Sequence, residues 1–513
     1  MTQAADVVFT NAAIHPLTDP DHDGEPVAEA VAVRDGEIVR IGSAYELNFL
    51  VGVETAVVDL GGRHLLPGFI DAHTHVEMVG ERLVHADLSV ATSRDEALSI
   101  LASDDDSGGE WIIGVGYDES YWEDDRLLRA ADLDEVSEDE PVAAIRVDGH
   151  TAAINSVALD LLAGDLPADD VMTEGGEPTG VLVEDAVGVV RERTVPGVDG
   201  TRELIVAARD RAHELGVVGV HDMVRHSYAP RVYRELDAAG ELNLRVRINY
   251  WRHHFDAVVE TGLRTNHGSE FVRVGGIKSF TDGAIGGRTA KLIEPYLDGE
   301  GRGQWVVDPD HLREIVGDAD RDGYQVTVHA IGDEAIEESL SAFEETDNPG
   351  QRRHRIEHVE LATDDHIDRL AETGIIASMQ PNFLQWAADD GLYDNRLGEE
   401  RSRWSNRFRT MLDAGVTLAF GSDCMPMNPL YGIDWVVNAR DDDQRLTVTE
   451  ALRAYTIGAA YAGFDEDRLG TIEVGKRADF VVLDESPWEH RETIDEIDVA
   501  MTVVDGSVVY DAR

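Results

Sequence analysis

Lysine is nearly missing from this chain of 513 residues: Lys278, Lys291 and Lys476 are all it has. Basic residues total 44 against 102 acidic ones, a formal net charge of −58. Such an excess repels phosphate backbones and anionic lipid headgroups, so neither a nucleic acid nor a membrane surface is expected as a partner. It also strains a compact chain at low ionic strength, and salt screens that strain. An acid-rich, lysine-poor composition resembles the proteins of salt-accumulating halophiles, and a high-salt cytoplasm is the expected setting. Cysteine is limited to Cys424, which excludes an intrachain disulfide and gives no sign of an oxidising compartment. No apolar run approaches the roughly 18 residues of a membrane-spanning helix. The segment Met1–Asp6 carries no basic residue and leads straight into a strand pattern, so no signal peptide is expected.

What is present is ordinary in bulk and unusual in placement. Hydrophobic residues make up 42%, a soluble globular composition, and the length allows a large core and more than one domain. Six side chains of metal-ligand type stand at the ends of predicted strands: His73 and His75 as an H-x-H pair, Lys278, His329, His358 and Asp423. Short apolar runs precede them, such as Leu65–Ala72 before the pair and Gln325–Val328 before His329. In a barrel of parallel strands, residues at the carboxyl ends of different strands converge on one pocket. The pattern reads as a hydrolase with a metal-activated water. In a chain that nearly always uses arginine, Lys278 at such a position points to amine chemistry, because arginine cannot be deprotonated.

The two ends of the chain look alike. Strand patterns flank Asp35-Gly36 and again Asp505-Gly506, two hairpin signals. We expect one small β-sandwich domain built from both termini, residues 1–64 and 470–513. Between them, residues 65–469 alternate strand and helix signals, the pattern of an α/β fold with a parallel sheet. The expected architecture is a (β/α)8 TIM-like barrel with strands ending near His75, His221, Tyr250, Ser279, Ala330, His358, Gln380 and Ser422. The stretch of about 81–200 exceeds any βα loop and is expected to be a folded insertion after the first barrel strand, placed to form a lid or substrate wall.

Motifs along the whole chain resemble the amidohydrolase superfamily. Leu66-Pro67-Gly68-Phe69-Ile70-Asp71-Ala72-His73-Thr74-His75 is similar to its first-strand signature. The run Lys278–Ala290, with Val328-His329-Ala330-Ile331-Gly332-Asp333, Ile356-Glu357-His358 and Gly421-Ser422-Asp423, resembles the family 3 branch that includes N-substituted formamide deformylases. The resemblance implies two divalent metals, zinc first, with iron, manganese or cobalt as alternatives. It places one metal on His73, His75 and Asp423 and the other on His329 and His358, bridged by a CO2-derived carbamate on Lys278. Asp423 would be the general base. The implied substrate is a small-molecule N-acyl or N-formyl amide, and the family habit is a homodimer. His150, Arg288 and Asp282 are candidates for substrate contact. A deaminase or cyclic-amide hydrolase on the same barrel is the competing enzyme reading, although Lys278 argues against a deaminase. A metal-binding homologue without catalysis should lack a ligand or the base, and none is missing.

Blander roles are expected elsewhere. His221-Asp222 should brace the barrel mouth, Cys424 should be a small buried residue, and His15, His22 and His213 should be at the surface.

Overall fold

The computed structural model describes residues 3–103, 111–119, 122–124, 126–147, 151–299 and 301–513; His150 lies outside them. Eight parallel strands form one continuous sheet: β1 Phe69–Thr74, β2 Val217–Val224, β3 Arg245–Trp251, β4 Val272–Phe280, β5 Val326–Ala330, β6 Arg355–His358, β7 Ile376–Met379 and β8 Leu418–Phe420. Each pairs with its neighbour in chain order, and β1, β2 and β5 to β8 are buried along their whole length. Burial on both faces does not make them uniformly apolar: β5 reads Val-Thr-Val-His-Ala and β6 Arg-Ile-Glu-His, with the polar residues buried as fully as the apolar ones. Register carries the chemistry upward: Phe280 stands opposite His329, and Ala330 opposite His358.

No ladder joins β8 back to β1. Side-chain and loop bonds close that seam instead. The Asp71 carboxylate accepts from the Ser422 N–H at 3.0 Å, and the Asp423 N–H donates to the His73 carbonyl at 2.7 Å. Gly421 makes this approach possible, since a Cβ there would lie 2.3 Å from the His73 nitrogen.

Both termini build one second sheet. Strands Phe480–Leu483, Val499–Val504 and Ser507–Asp511 continue onto His64–Pro67, Val7–Ile14, Ala28–Arg34 and Glu37–Gly42, with Ala56–Asp59 also on Val7–Ile14. Ile38 and Val503, from strands near opposite ends of that order, share one core with Phe9 and Phe480, so the sheet wraps around its own interior. Asp35, Gly36, Asp505 and Gly506 all have positive φ, which fits the tight hairpin turns that Asp-Gly favours.

The surface expectation for two histidines is corrected here. His15 is 0% exposed, with His22 and His64 ring nitrogens each 3.0 Å from its own and Trp488 tilted over it. His213 is also buried, its Nε2 bonded to the Asn243 carbonyl. A single polar residue carries no sign of which face it will occupy; ring partners from other segments bury His15, and a distant backbone carbonyl receives His213.

The chain divides into two compact units, one of them Val76–Ala208 with His226–Val232. Taken by itself, that unit holds a six-stranded mixed sheet in which Ile112–Tyr117, Val142–Arg146 and Thr151–Ile154 lie side by side. Two apolar cores serve it, one around Leu88, Leu101 and Val142, the other around Ala143, Leu182 and Val187. Among the described residues, no helix is long and apolar enough to cross a membrane.

Candidate active site

His73 on β1 and His75, just past its end, both turn Nε2 to one carboxylate. His73 is 1% exposed. Asp423 arrives across the seam from the loop after β8, its Oδ1 3.3 Å from His75 Nε2 and 3.6 Å from His73 Nε2. The donor atoms of these three all lie within 4.8 Å of one another. His358 lies beside the trio with its ring tilted 4.9 Å from that of His73, and the His329 ring follows edge-on at 4.4 Å from His358. His329 and His358 stand outside the trio itself.

The ring nitrogens are sorted by their partners. His73 turns Nδ1 to Glu357 Oε2 at 2.5 Å, and His75 turns Nδ1 to the Met223 carbonyl at 3.1 Å. In both, Nε2 is left facing Asp423. His329 turns Nε2 to the Gly283 carbonyl at 3.0 Å. Among the described residues, the buried Nζ of Lys278 and Nδ1 of His358 have no hydrogen-bond partner. A buried polar group left so costs about 1–3 kcal/mol. Two such nitrogens near three convergent donors make a set that fits a metal.

Electrostatics point the same way. Burial, with the Lys278 ammonium nearby, lowers His73 to about 4 and His329 to about 3. Burial and the other histidines hold His358 well below the usual imidazole range. All three are therefore neutral near pH 7, with lone pairs to give. Burial also lowers Lys278 to about 8, which makes a neutral amine accessible. Burial works against ionisation of Asp423, but the His75 hydrogen bond and the neighbouring rings outweigh it and keep the carboxyl below its ordinary value.

The backbone is strained at several points of the site. His358, Val359, Asp423 and Cys424 all have positive φ. For a β-branched residue such as Val359 that conformation is a genuine outlier, and strain of this kind gathers at functional sites. Cys424 is buried, as expected.

The candidate substrate residues fall in different places. Arg288 is exposed and ion-paired with Asp298 at 2.7 Å. Asp282 is buried 3.5 Å from His329 Nε2 and accepts from the backbone N–H groups of Lys291, Ile331 and Gly332. Burial raises it to about 7. His221 does not end its strand, which runs on to Val224; its ring lies buried, its Nδ1 accepting from Arg355.

Sequence reasoning missed Arg355, Glu357, Asp71 and Glu360. Arg355 and Glu357 are 0% exposed and alternate on β6. Two charges on one face of a strand buried on both sides were the available signal. Glu360, raised to about 7 by burial, accepts from the Tyr393 hydroxyl at 2.5 Å.

A parallel eight-stranded barrel with imidazoles, a lysine and an aspartate at the carboxyl ends of its strands defines a barrel hydrolase. The chain belongs to the amidohydrolase family, whose model matches residues 56–510; this makes it a hydrolase acting on carbon–nitrogen bonds. It is 32% identical to Protein LONG AFTER FAR-RED 3 of Arabidopsis thaliana, across 99% of this chain and 92% of that one. It is 27% identical to the N-substituted formamide deformylase of Arthrobacter pascens, across 100% of this chain and 99% of the relative. The structure of an uncharacterized metal-dependent hydrolase from Pyrococcus furiosus superposes with a TM-score of 0.82 at 30% identity, covering 94% of this chain and 99% of that one.

Proposed function

We propose that this chain hydrolyses the carbon–nitrogen bond of a small, non-peptide N-acyl or N-formyl amide, at a centre of divalent metal held by His73, His75, Lys278, His329, His358 and Asp423. The observation that carries the reading is the convergence of the His73, His75 and Asp423 donors within 4.8 Å, beside the unpartnered Lys278 Nζ and His358 Nδ1. Bound there, a divalent cation supplies a Lewis acid for the carbonyl oxygen and lowers the pKa of water to about 7.

The protein's own residues do the rest. The imidazoles of His73, His329 and His358, kept neutral by burial, offer lone pairs without adding positive charge, and His75 adds a fourth ring. Lys278, with its lowered pKa, has an uncharged fraction whose nitrogen can bond to the carbon of CO2 and lose a proton. The resulting carbamate replaces a repelling ammonium by an anion with two donor oxygens. Asp423, ionised and reaching the cluster through Oδ1, takes the proton of the attacking water and hands it to the departing amine nitrogen. Zinc is the expected metal, two per chain.

Elemental analysis of the full chain purified in high salt, wild type against Lys278→Ala, tests this directly. Two metals in the wild type, clear loss in the variant and turnover on an N-formyl and N-acyl amide panel are expected. A single metal unchanged by Lys278→Ala would sink the carbamate-bridged pair, and turnover confined to amidine or ring-amine substrates would move the reading to a deaminase.

A further inference from the structure

Beneath the metal-type donors, the barrel interior contains a charged strut that the proposed chemistry does not use. Arg355 Nε donates to Glu357 Oε1 at 2.5 Å and Arg355 Nη2 to Glu357 Oε2 at 2.9 Å, a fork on both oxygens. The same guanidinium donates to the Ala72 carbonyl at 2.5 Å, to Ser378 Oγ at 2.7 Å and to His221 Nδ1 at 2.9 Å. One side chain of β6 is thereby tied to β1, β7 and β2. Both members are fully buried. A buried ion pair of this kind is weak evidence for stability, because desolvation offsets its attraction; its place must be explained by what it holds.

What it holds is His73. A carboxylate already forked by arginine accepts and has no proton to give, so the 2.5 Å contact is an Nδ1–H of His73 donating to Glu357 Oε2. A neutral imidazole has one N–H, and with that proton on Nδ1 the Nε2 lone pair is fixed towards Asp423 and the cluster. The Ala72 carbonyl, one residue before His73, is held by the same guanidinium, so ring and backbone are set by one group. Ligand histidines are oriented in this way by carboxylate partners in other metal proteins.

We propose that the Arg355–Glu357 pair is the positioning device of this centre: Glu357 holds His73 in its Nδ1–H tautomer and so selects Nε2 as the donor atom. The proposal rests on reading the site as a metal centre. Glu357→Gln nearly preserves volume but leaves one acceptor oxygen for three donors, and its amide can donate to His73 Nδ1 and drive the proton to Nε2.

The test uses the full chain in high salt. Two-bond 1H–15N spectra of metal-free protein, with the His73 signal identified by its loss in His73→Gln, should show Nδ1 protonated in the wild type. Glu357→Gln should shift that signal towards the Nε2–H form and weaken zinc binding, measured by chelator competition, by roughly 10–100-fold; Glu357→Asp should recover part of both. An unchanged tautomer with unchanged zinc affinity in Glu357→Gln would overturn the proposal. If Glu357→Gln does not fold, the wild-type spectrum decides, since His73 protonated at Nε2 is incompatible with the proposed role. A wild-type chain that takes up no zinc would remove the metal-centre reading and the donor assignment with it, even with the Nδ1–H signal in place.

Discussion

The two ends of the barrel treat buried charge in opposite ways. At the amino ends of the strands, arginines are matched with acids: Arg245 forks onto Asp479 at 2.5 and 2.9 Å, and Arg247 and Arg273 share Asp465 at 2.8 and 3.0 Å. At the carboxyl ends, among the described residues, Lys278 Nζ and His358 Nδ1 have no hydrogen-bond partner, as Arg247 Nε has none at the base, and the backbone is strained at His358, Val359, Asp423 and Cys424. Matched charge at the base serves to hold the fold. Unmatched donors at the mouth cost stability, which is the pattern expected of groups kept for binding rather than for folding.

Several substitutions would break or sharpen that contrast. Asp423→Asn should lower kcat by about 10²–10⁴, the usual contribution of a general base, while far-ultraviolet circular dichroism stays unchanged; a variant with wild-type turnover would remove Asp423 from the chemistry. At the base, Arg245→Met strands the buried Asp479 and should destabilise the fold by about 3–5 kcal/mol, read as a lower denaturation midpoint, with turnover per folded molecule retained. The converse at the mouth, Lys278→Met in metal-free protein, should leave the midpoint unchanged or raise it, since a buried amine without a partner is removed.

Two smaller effects depend on pH and have opposite signs. Burial puts His329 at about 3 when folded, so between that value and about 6.5 the unfolded chain binds more protons, and His329 adds stability as pH rises through the window. Asp282 is raised to about 7, so from about 4 to 7 the folded chain binds more protons, and this group subtracts stability as pH rises. In metal-free protein, thermal melts across pH 4–7 should therefore show a flatter rise for His329→Gln and a steeper one for Asp282→Asn. The same slope in both variants and wild type would mean that neither group is shut away from water in the folded chain.

What could be read from the sequence had a local signature. The Asp-Gly hairpins announce themselves in two residues, and an apolar run ending in His or Asp marks a strand end, so the barrel and the positions of its six candidate ligands were legible. Glu357 was in plain view, one residue from His358, yet its role depends on His73, 284 residues earlier. Asp71 likewise lies inside the first-strand motif, and only the fold shows it bonded to Ser422. Arg288 stands in a motif-rich loop but points its charge at Asp298, because the left-handed turn at that residue depends on the surrounding loop. Relations between distant strands are the part that composition and periodicity do not encode.

The seam between the first and last barrel strands sets a condition on biosynthesis. Asp71 and Ser422 are 351 residues apart, and His73 and Asp423 meet at the same closure. A nascent chain leaving the ribosome exposes the first half of the site early and holds it open until nearly the whole barrel has emerged. Until Asp423 has emerged, His73 and His75 lack the carboxylate they face, so a chain stalled before the last barrel strand cannot assemble the candidate site.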